Sequence, residues 1–177
     1  ELDVYPFEGM LSNISKVEMS VGGCAANTSI DLRIIDDSLP VEVLGMVGDD
    51  ANGRYITDML TRHGIGIRGV RVNSGTMTSF TDVMTVSDSK ARTFFHARGA
   101  NAVFGFEDID FDSIRSRFFH IGYALLLDSF DAPDPEYGTV MAKTLAYAQQ
   151  KGLVTSMDVV SESSDRFTAV VTPSLEY

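Results

Sequence analysis

Cysteine is almost absent from this chain. Cys24 is the single one in 177 residues, so no internal disulfide can form, and no CxxC or Cys/His cluster points to zinc. A reducing, cytoplasmic setting is expected. Basic residues are scarce too. Fourteen Lys and Arg face 25 Asp and Glu, for a net charge of -11. That balance lacks the basic stripe a nucleic-acid surface needs, leaving room only for a local basic pocket. No apolar run approaches the ~20 residues of a membrane span; the longest runs from Tyr123 to Leu127. The start shows no signal-peptide pattern. Repeats, low-complexity tracts and long linkers are missing. No G-x-G-x-x-G lies between a first strand and a helix, which weighs against a dinucleotide-dependent oxidoreductase.

What is present is ordinary globular composition, 44% hydrophobic and 22% charged. It excludes wholesale disorder and suits one α/β domain with a sizeable core. Both ends read as cut. Glu1 to Tyr5 resembles the tail of a strand, and Pro173 to Tyr177 closes no element. A fragment of a longer protein is expected, with its C-terminal part missing.

Leu11 to Val21 holds Ile14, Val17, Met19 and Val21, a partial alternation that predicts a strand. Ala25 to Asp36 predicts a helix, with Ala26, Ile30 and Ile34 at regular spacing. Val41 to Val47 is β-rich and apolar, as a buried strand requires. Asp49 or Asp50 then caps a helix carrying Tyr55, Ile56, Met59, Leu60 and His63 on one face. A short strand over Ile67 to Val72 follows. Met77 to Val86 and Ala91 to Ala97, separated by Ser87-Asp88-Ser89-Lys90, predict a hairpin. Within it Asp82 shares strand parity with Phe80, Met84 and Val86, and the lid showing that face to water is the favoured reading. Arg117 to Gly122 predicts a core strand with His120 a satisfied core histidine, Glu136 to Gln150 a helix, and Leu153 to Val160 a strand. Such alternation implies parallel βαβ units with helices on both faces. The hairpin breaks the alternation. Together with the 11–21 strand it should form a separate small sheet, a lid over the strand ends where open α/β sheets bind ligands.

Gly22-Gly23-Cys24-Ala25-Ala26-Asn27 is the most informative stretch. Glycines permit a ligand to approach the backbone closely. Asn27 brings an amide with donor and acceptor groups, suited to reading hydroxyls. Further along stand Leu44-Gly45-Met46-Val47-Gly48-Asp49-Asp50-x-x-Gly53, then Phe94-Phe95-His96-Ala97-Arg98-Gly99-Ala100-Asn101, Phe119-His120-Ile121-Gly122 and Ser156-Met157-Asp158. This series, in this order, resembles the ribokinase-like (PfkB-type) carbohydrate kinases over nearly the whole chain.

The resemblance implies an αβα three-layer, Rossmann-like domain spanning 1–177, truncated, with lid strands at about 5–21 and 74–98. It implies an ATP- and Mg²⁺-dependent phosphotransferase acting on a hydroxymethyl group of a sugar or nucleoside. Gly22, Gly23 and Asn27 carry over as substrate contacts. Asp3 is the candidate for the family's first-strand sugar-binding Asp, with Glu1 fitting about as well. His96 and Arg98 match lid-end residues that hold acidic sugars in some relatives, and a guanidinium fork suits a carboxylate or phosphate. Cys24 departs from the larger polar residue some members carry, which leaves the sugar open. Asp158 ends a strand at the ligand-facing edge and is a further pocket candidate. The family's catalytic base sits in a Gly-Ala-Gly-Asp motif that these residues do not contain, so the base is expected beyond residue 177. Exposed lid edges would be covered by pairing lids across a homodimer. A non-catalytic sugar-binding or regulatory module with the same fold is the alternative.

Overall fold

Two stretches of β-rich sequence each lead through a helix into a second strand, and that pattern builds the core. The computed structural model describes residues 1–160 and 164–177. In chain order the elements are α1 (Cys24–Ile35), β1 (Glu42–Gly48), α2 (Ala51–Arg62), β2 (Gly66–Asn73), β3 (Phe80–Thr85), β4 (Arg92–Ala97), α3 (Ala100–Val103), β5 (Phe118–Ala124), α4 (Asp128–Asp131), β6 (Pro133–Asp134), β7 (Gly138–Thr139), α5 (Val140–Gln150), β8 (Val154–Val159) and α6 (Phe167–Val171). β1 pairs parallel with β2, from Glu42 opposite Gly66 to Gly48 opposite Asn73. β5 pairs parallel with β8, with Phe118 opposite Val154 and His120 opposite Ser156. Parallel neighbours need a crossover connection, and α2 and α5 supply it.

The period of two along each strand sorts side chains to opposite faces. Leu44 and Met46 of β1 join the larger core cluster, where Phe119 and Ile121 of β5 meet Met141, Leu145 and Ala148 of α5. Val41 and Val43 join a second cluster with Ala26 and Ile30 of α1 and Ile56 and Leu60 of α2. Helices therefore cover both faces, and the architecture is α/β in three layers. Phe130, Met141 and Leu145 are almost fully buried; truncating side chains of this kind to alanine typically costs about 2–5 kcal/mol. Among the described residues no helix is long and apolar enough to cross a membrane.

Three expectations need correction. No strand forms over 5–21; Ile14 makes only an isolated bridge to Leu2. Leu11 and Val17 are 89% and 82% exposed. The reason lies in the pattern, since the step from Ile14 to Val17 is odd and changes face. Leu2 instead lines the hairpin edge, its N–H donating to the Thr85 carbonyl (2.8 Å) and its carbonyl accepting from Ser87 (2.7 Å). The helix expected from Glu136 begins at Val140. Asp134 Oδ1 accepts the Glu136 and Tyr137 N–H groups, both at 3.0 Å, and so holds a tight turn there. Thr139 then caps α5 by accepting from Ala142 N–H at 3.1 Å. His120 is exposed, on the face opposite Phe119 and Ile121. It is satisfied, but not by the core.

The hairpin β3–β4 stands outside the parallel pairs, as expected, with Phe80 opposite Ala97 and Thr85 opposite Arg92. Asp82 on it is exposed. Its base is tied down by Asp50. Oδ1 accepts from Gly53 N–H (2.8 Å) and from the Thr78 hydroxyl (2.7 Å), while Oδ2 accepts from Thr78 N–H (2.8 Å). Thr78 Oγ1 in turn accepts from Gly48 N–H at 2.8 Å. One carboxylate thereby caps α2 and joins the end of β1 to the root of the hairpin. A methyl group at Gly48 would stand 2.5 Å from the Thr76 carbonyl oxygen, so only glycine lets the hairpin root come this close.

These donors, the Thr78 N–H foremost, lower the Asp50 pKa from 3.8 to about 2. A carboxylate whose pKa falls on folding adds stability that is complete above its unfolded value and is lost as pH drops through the folded one. Asp50→Asn should therefore lower the thermal midpoint at pH 7, and its deficit against the native protein should shrink between pH 4 and pH 2. A deficit independent of pH over that window would show that the carboxylate charge plays no part.

Candidate functional site

Gly23 enters α1 with φ at 86°, a left-handed conformation that glycine adopts without strain. No side chain caps this helix start. Methyl groups placed on Gly22 or Gly23 would meet nothing within 4 Å, so their backbone borders open space. Asn27, one turn into α1, is exposed. Its backbone N–H donates to the Gly23 carbonyl at 2.9 Å. Among the described residues its side-chain amide has no hydrogen-bond partner, which leaves donor and acceptor groups available.

The helix start rests on the outward face of the β5–β8 pair, toward the carboxyl ends of both strands. Cys24 is buried at 7% exposure. A methyl on Gly122 would stand 2.7 Å from Cys24 Sγ and 3.3 Å from Asp158 Cβ, so Gly122 makes room for Cys24 and brings Asp158 alongside. Cys24 Sγ lies 3.1 Å from His120 Nε2, and His120 Nδ1 lies 2.8 Å from Ser156 Oγ. Burial, with the nearby Asp158 carboxylate, pushes the Cys24 thiol up. It pushes the Tyr123 phenol up as well, helped by Cys24 and Asp158. The loop, Asp158, Tyr123 and His120 thus form one cluster.

Arg98 and His96 lie elsewhere. Arg98 forms an ion pair with Asp128 at the start of α4, tying the exit of the hairpin to the segment after β5. His96 Nδ1 lies 2.8 Å from Thr81 Oγ1 on the paired strand. Burial and the Arg98 charge hold the His96 pKa down. Asp3 is exposed beside Leu2 at the hairpin edge. The seven candidates therefore divide into three places: Gly22, Gly23, Asn27 and Asp158 around the α1 start, Arg98 and His96 at the hairpin exit, and Asp3 at its far edge.

Asp131, buried beside this exit, holds the Leu125 N–H at 3.0 Å through Oδ1. Burial pushes its carboxyl up. Sequence reasoning passed over it, and over Asp128 and Ser156. Only the alternation of Phe119 and Ile121 carried a signal, since it turns His120 to the α1 side.

The pfkB family carbohydrate kinase model matches residues 1–173. The chain belongs to the pfkB family of carbohydrate kinases. Its fold is the ribokinase-like one. A ribokinase from Giardia lamblia superposes with a TM-score of 0.74 at 18% identity, covering 95% of this chain and 50% of its own. A fructokinase from Xylella fastidiosa gives 0.68 at 19%, covering 97% and 52%. A structure titled as that fructokinase with bound ATP gives 0.66 at 19%, covering 94% and 51%. The chain thus spans about half the length of these solved structures. No curated protein matches it.

Within this pfkB chain, Gly122 serves packing and Gly22 does not. Gly122→Ala should cost about 1–3 kcal/mol of stability by pushing Cys24 and α1 off the sheet. Gly22→Ala should stay within about 0.5 kcal/mol, as an open surface position does. Chemical denaturation of both variants checks this; equal losses would mean that Gly22 is also a packing position.

Proposed function

We propose that this pfkB family member is an ATP-dependent kinase that phosphorylates a hydroxymethyl group of a neutral sugar or nucleoside, and that residues 1–177 form its substrate-binding half. The observation that carries this reading is the open Gly22–Gly23 backbone beside the unengaged Asn27 amide, at the carboxyl ends of β5 and β8. That is where open α/β sheets bind ligands. Gly22, Gly23 and Asn27 would contact sugar hydroxyls, with Asp158 accepting from one of them.

Two features favour a neutral over an acidic substrate. The Arg98 guanidinium is already paired with Asp128, and the Asp158 carboxylate beside Cys24 would repel an anion. In this reading Arg98 and His96 hold the hairpin exit, and Asp3 supports the hairpin edge. The hairpin exposes apolar groups on both faces. Phe94 and Val83 lie on one, Phe95 and Phe80 on the other. One face would close over the substrate and exclude water; the other would pair with a second copy in a homodimer. A reducing, cytoplasmic setting fits the free Cys24 thiol.

Family membership implies ATP and Mg²⁺. Among the described residues no group of three or more His, Cys, Asp or Glu side chains is placed to hold a metal. The chain also has no Gly-Ala-Gly-Asp motif. Neither the phosphoryl donor nor the proton-accepting base is therefore assigned to these residues. Their part is to bind and orient the acceptor hydroxyl, which lowers the entropic share of the barrier.

The test is ADP release by the full-length protein against a panel of sugars and nucleosides that includes D-fructose and D-ribose. At least one neutral acceptor should support turnover. Asn27→Ala should raise its KM about tenfold or more, as loss of one or two hydrogen bonds predicts, with the melting temperature little changed. Binding by calorimetry without turnover would favour the non-catalytic module. An unchanged KM would remove Asn27 from the site.

A further inference from the structure

Gly22 and Gly23 border open space, and no side chain caps α1. Something must nevertheless hold this loop in one orientation if it is to read hydroxyl geometry. A chain of close polar contacts to the sheet runs through His120. Its two ring nitrogens face Cys24 Sγ at 3.1 Å and Ser156 Oγ at 2.8 Å. His120 and Ser156 are register partners on adjacent strands, so the imidazole stands on a rigid two-strand base. Cys24 is the first residue of α1, directly after the glycine pair and one turn before Asn27.

We propose that His120 is a positioning residue for the substrate loop: it accepts the Cys24 thiol proton at Nε2, donates Nδ1–H to Ser156, and so fixes the Gly22–Asn27 backbone on the β5–β8 pair. This rests on the reading of that loop as the sugar site. It does not require His120 to touch the sugar.

The direction of the two bonds follows from the surroundings. Burial and the neighbouring Asp158 carboxylate both oppose a thiolate. The sulfur therefore keeps its proton, and His120 Nε2 at 3.1 Å stands within hydrogen-bond reach to receive it, with the Asp158 carboxylate as the competing acceptor. A neutral imidazole that accepts at Nε2 carries its proton on Nδ1, where the Ser156 hydroxyl oxygen receives it. Thr28 Oγ1, 3.9 Å from the same sulfur, is too far to compete well. The Gly122 contact places Cys24 by shape; the imidazole adds direction, because it restricts rotation of the helix start about that contact.

Two measurements on the full-length protein test this. The first needs no substrate. Nitrogen-15 correlation spectra of the imidazoles at pH 8, assigned with His120→Gln, should show His120 in the Nδ1–H form. Cys24→Ser should keep that form and Cys24→Ala should lose it. The second uses the neutral acceptor found in the panel above. His120→Ala should raise its KM about tenfold, the effect of one lost hydrogen bond, with a smaller change in kcat. It should also speed iodoacetamide labelling of Cys24, followed on its peptide by mass spectrometry, about tenfold. His120→Gln, whose amide supplies an acceptor and a donor, should recover most of both and guards against a variant that merely folds poorly.

An Nε2–H form in the native protein would overturn the proposal. So would His120→Ala with native KM and native labelling rate. If no acceptor supports turnover, the kinase reading fails, while the tautomer and the labelling rate still decide whether His120 holds the loop.

Discussion

The Asp50 carboxylate is the interaction on which the rest of the arrangement depends. It takes three hydrogen bonds from two residues that come from different parts of the fold. Gly53 belongs to the first turn of α2, and Thr78 to the root of the hairpin. Through Thr78 Oγ1 the same knot reaches Gly48, the last residue of β1. A strand end, a helix start and the hairpin root thereby share one anchor. An anion at a helix N-terminus is favoured by the helix dipole as well as by its free N–H groups, so the anchor is strongest where the fold places it.

The other leg of the hairpin is fixed by different chemistry. Ala100 N–H donates to the Met77 carbonyl at 2.8 Å, crossing from the exit back to the entrance. Arg98 pairs with Asp128. That pair is partly exposed, and pairs of this kind contribute little stability. It holds direction more than it holds the fold together. Both ends of the hairpin are therefore held. None of the residues that position Cys24 belongs to the hairpin.

Much of this was legible in the sequence, because it rests on local patterns. The two βαβ units follow from short apolar runs joined by amphipathic stretches. A helix cap at Asp49 or Asp50, of which the structure uses Asp50, and the buried stripe Met141, Thr144, Leu145 and Ala148 of α5 follow from spacing. The misjudged elements have two separate causes. At 11–21 the apolar residues change face partway, and at Glu136 the Asp134 side chain claims the backbone N–H groups that would otherwise start the helix. The candidate site was legible at its glycines, Asn27 and Asp158. The contact between Cys24 and His120 spans 96 residues, and no periodicity reports a meeting of that range. The Arg98–Asp128 pair was hidden for the same reason.

The glycines show how fold and site are separated in this chain. At Gly48, Gly53 and Gly122 an added methyl would strike protein atoms; those positions are glycine because strands, helices and the hairpin root must approach one another. At Gly22 and Gly23 it would strike nothing. Gly23 still needs its left-handed φ, which is a backbone reason. Gly22 has neither a positive φ nor a neighbour to avoid. Packing therefore places no demand on residue 22, whereas a ligand lying against the bare backbone would. The fold thus supplies the reason for most of its glycines internally; Gly22 and Gly45 have neither a positive φ nor a neighbour within 4 Å, and of these two Gly22 lies beside Asn27, on the helix start that Cys24 and His120 hold against the sheet.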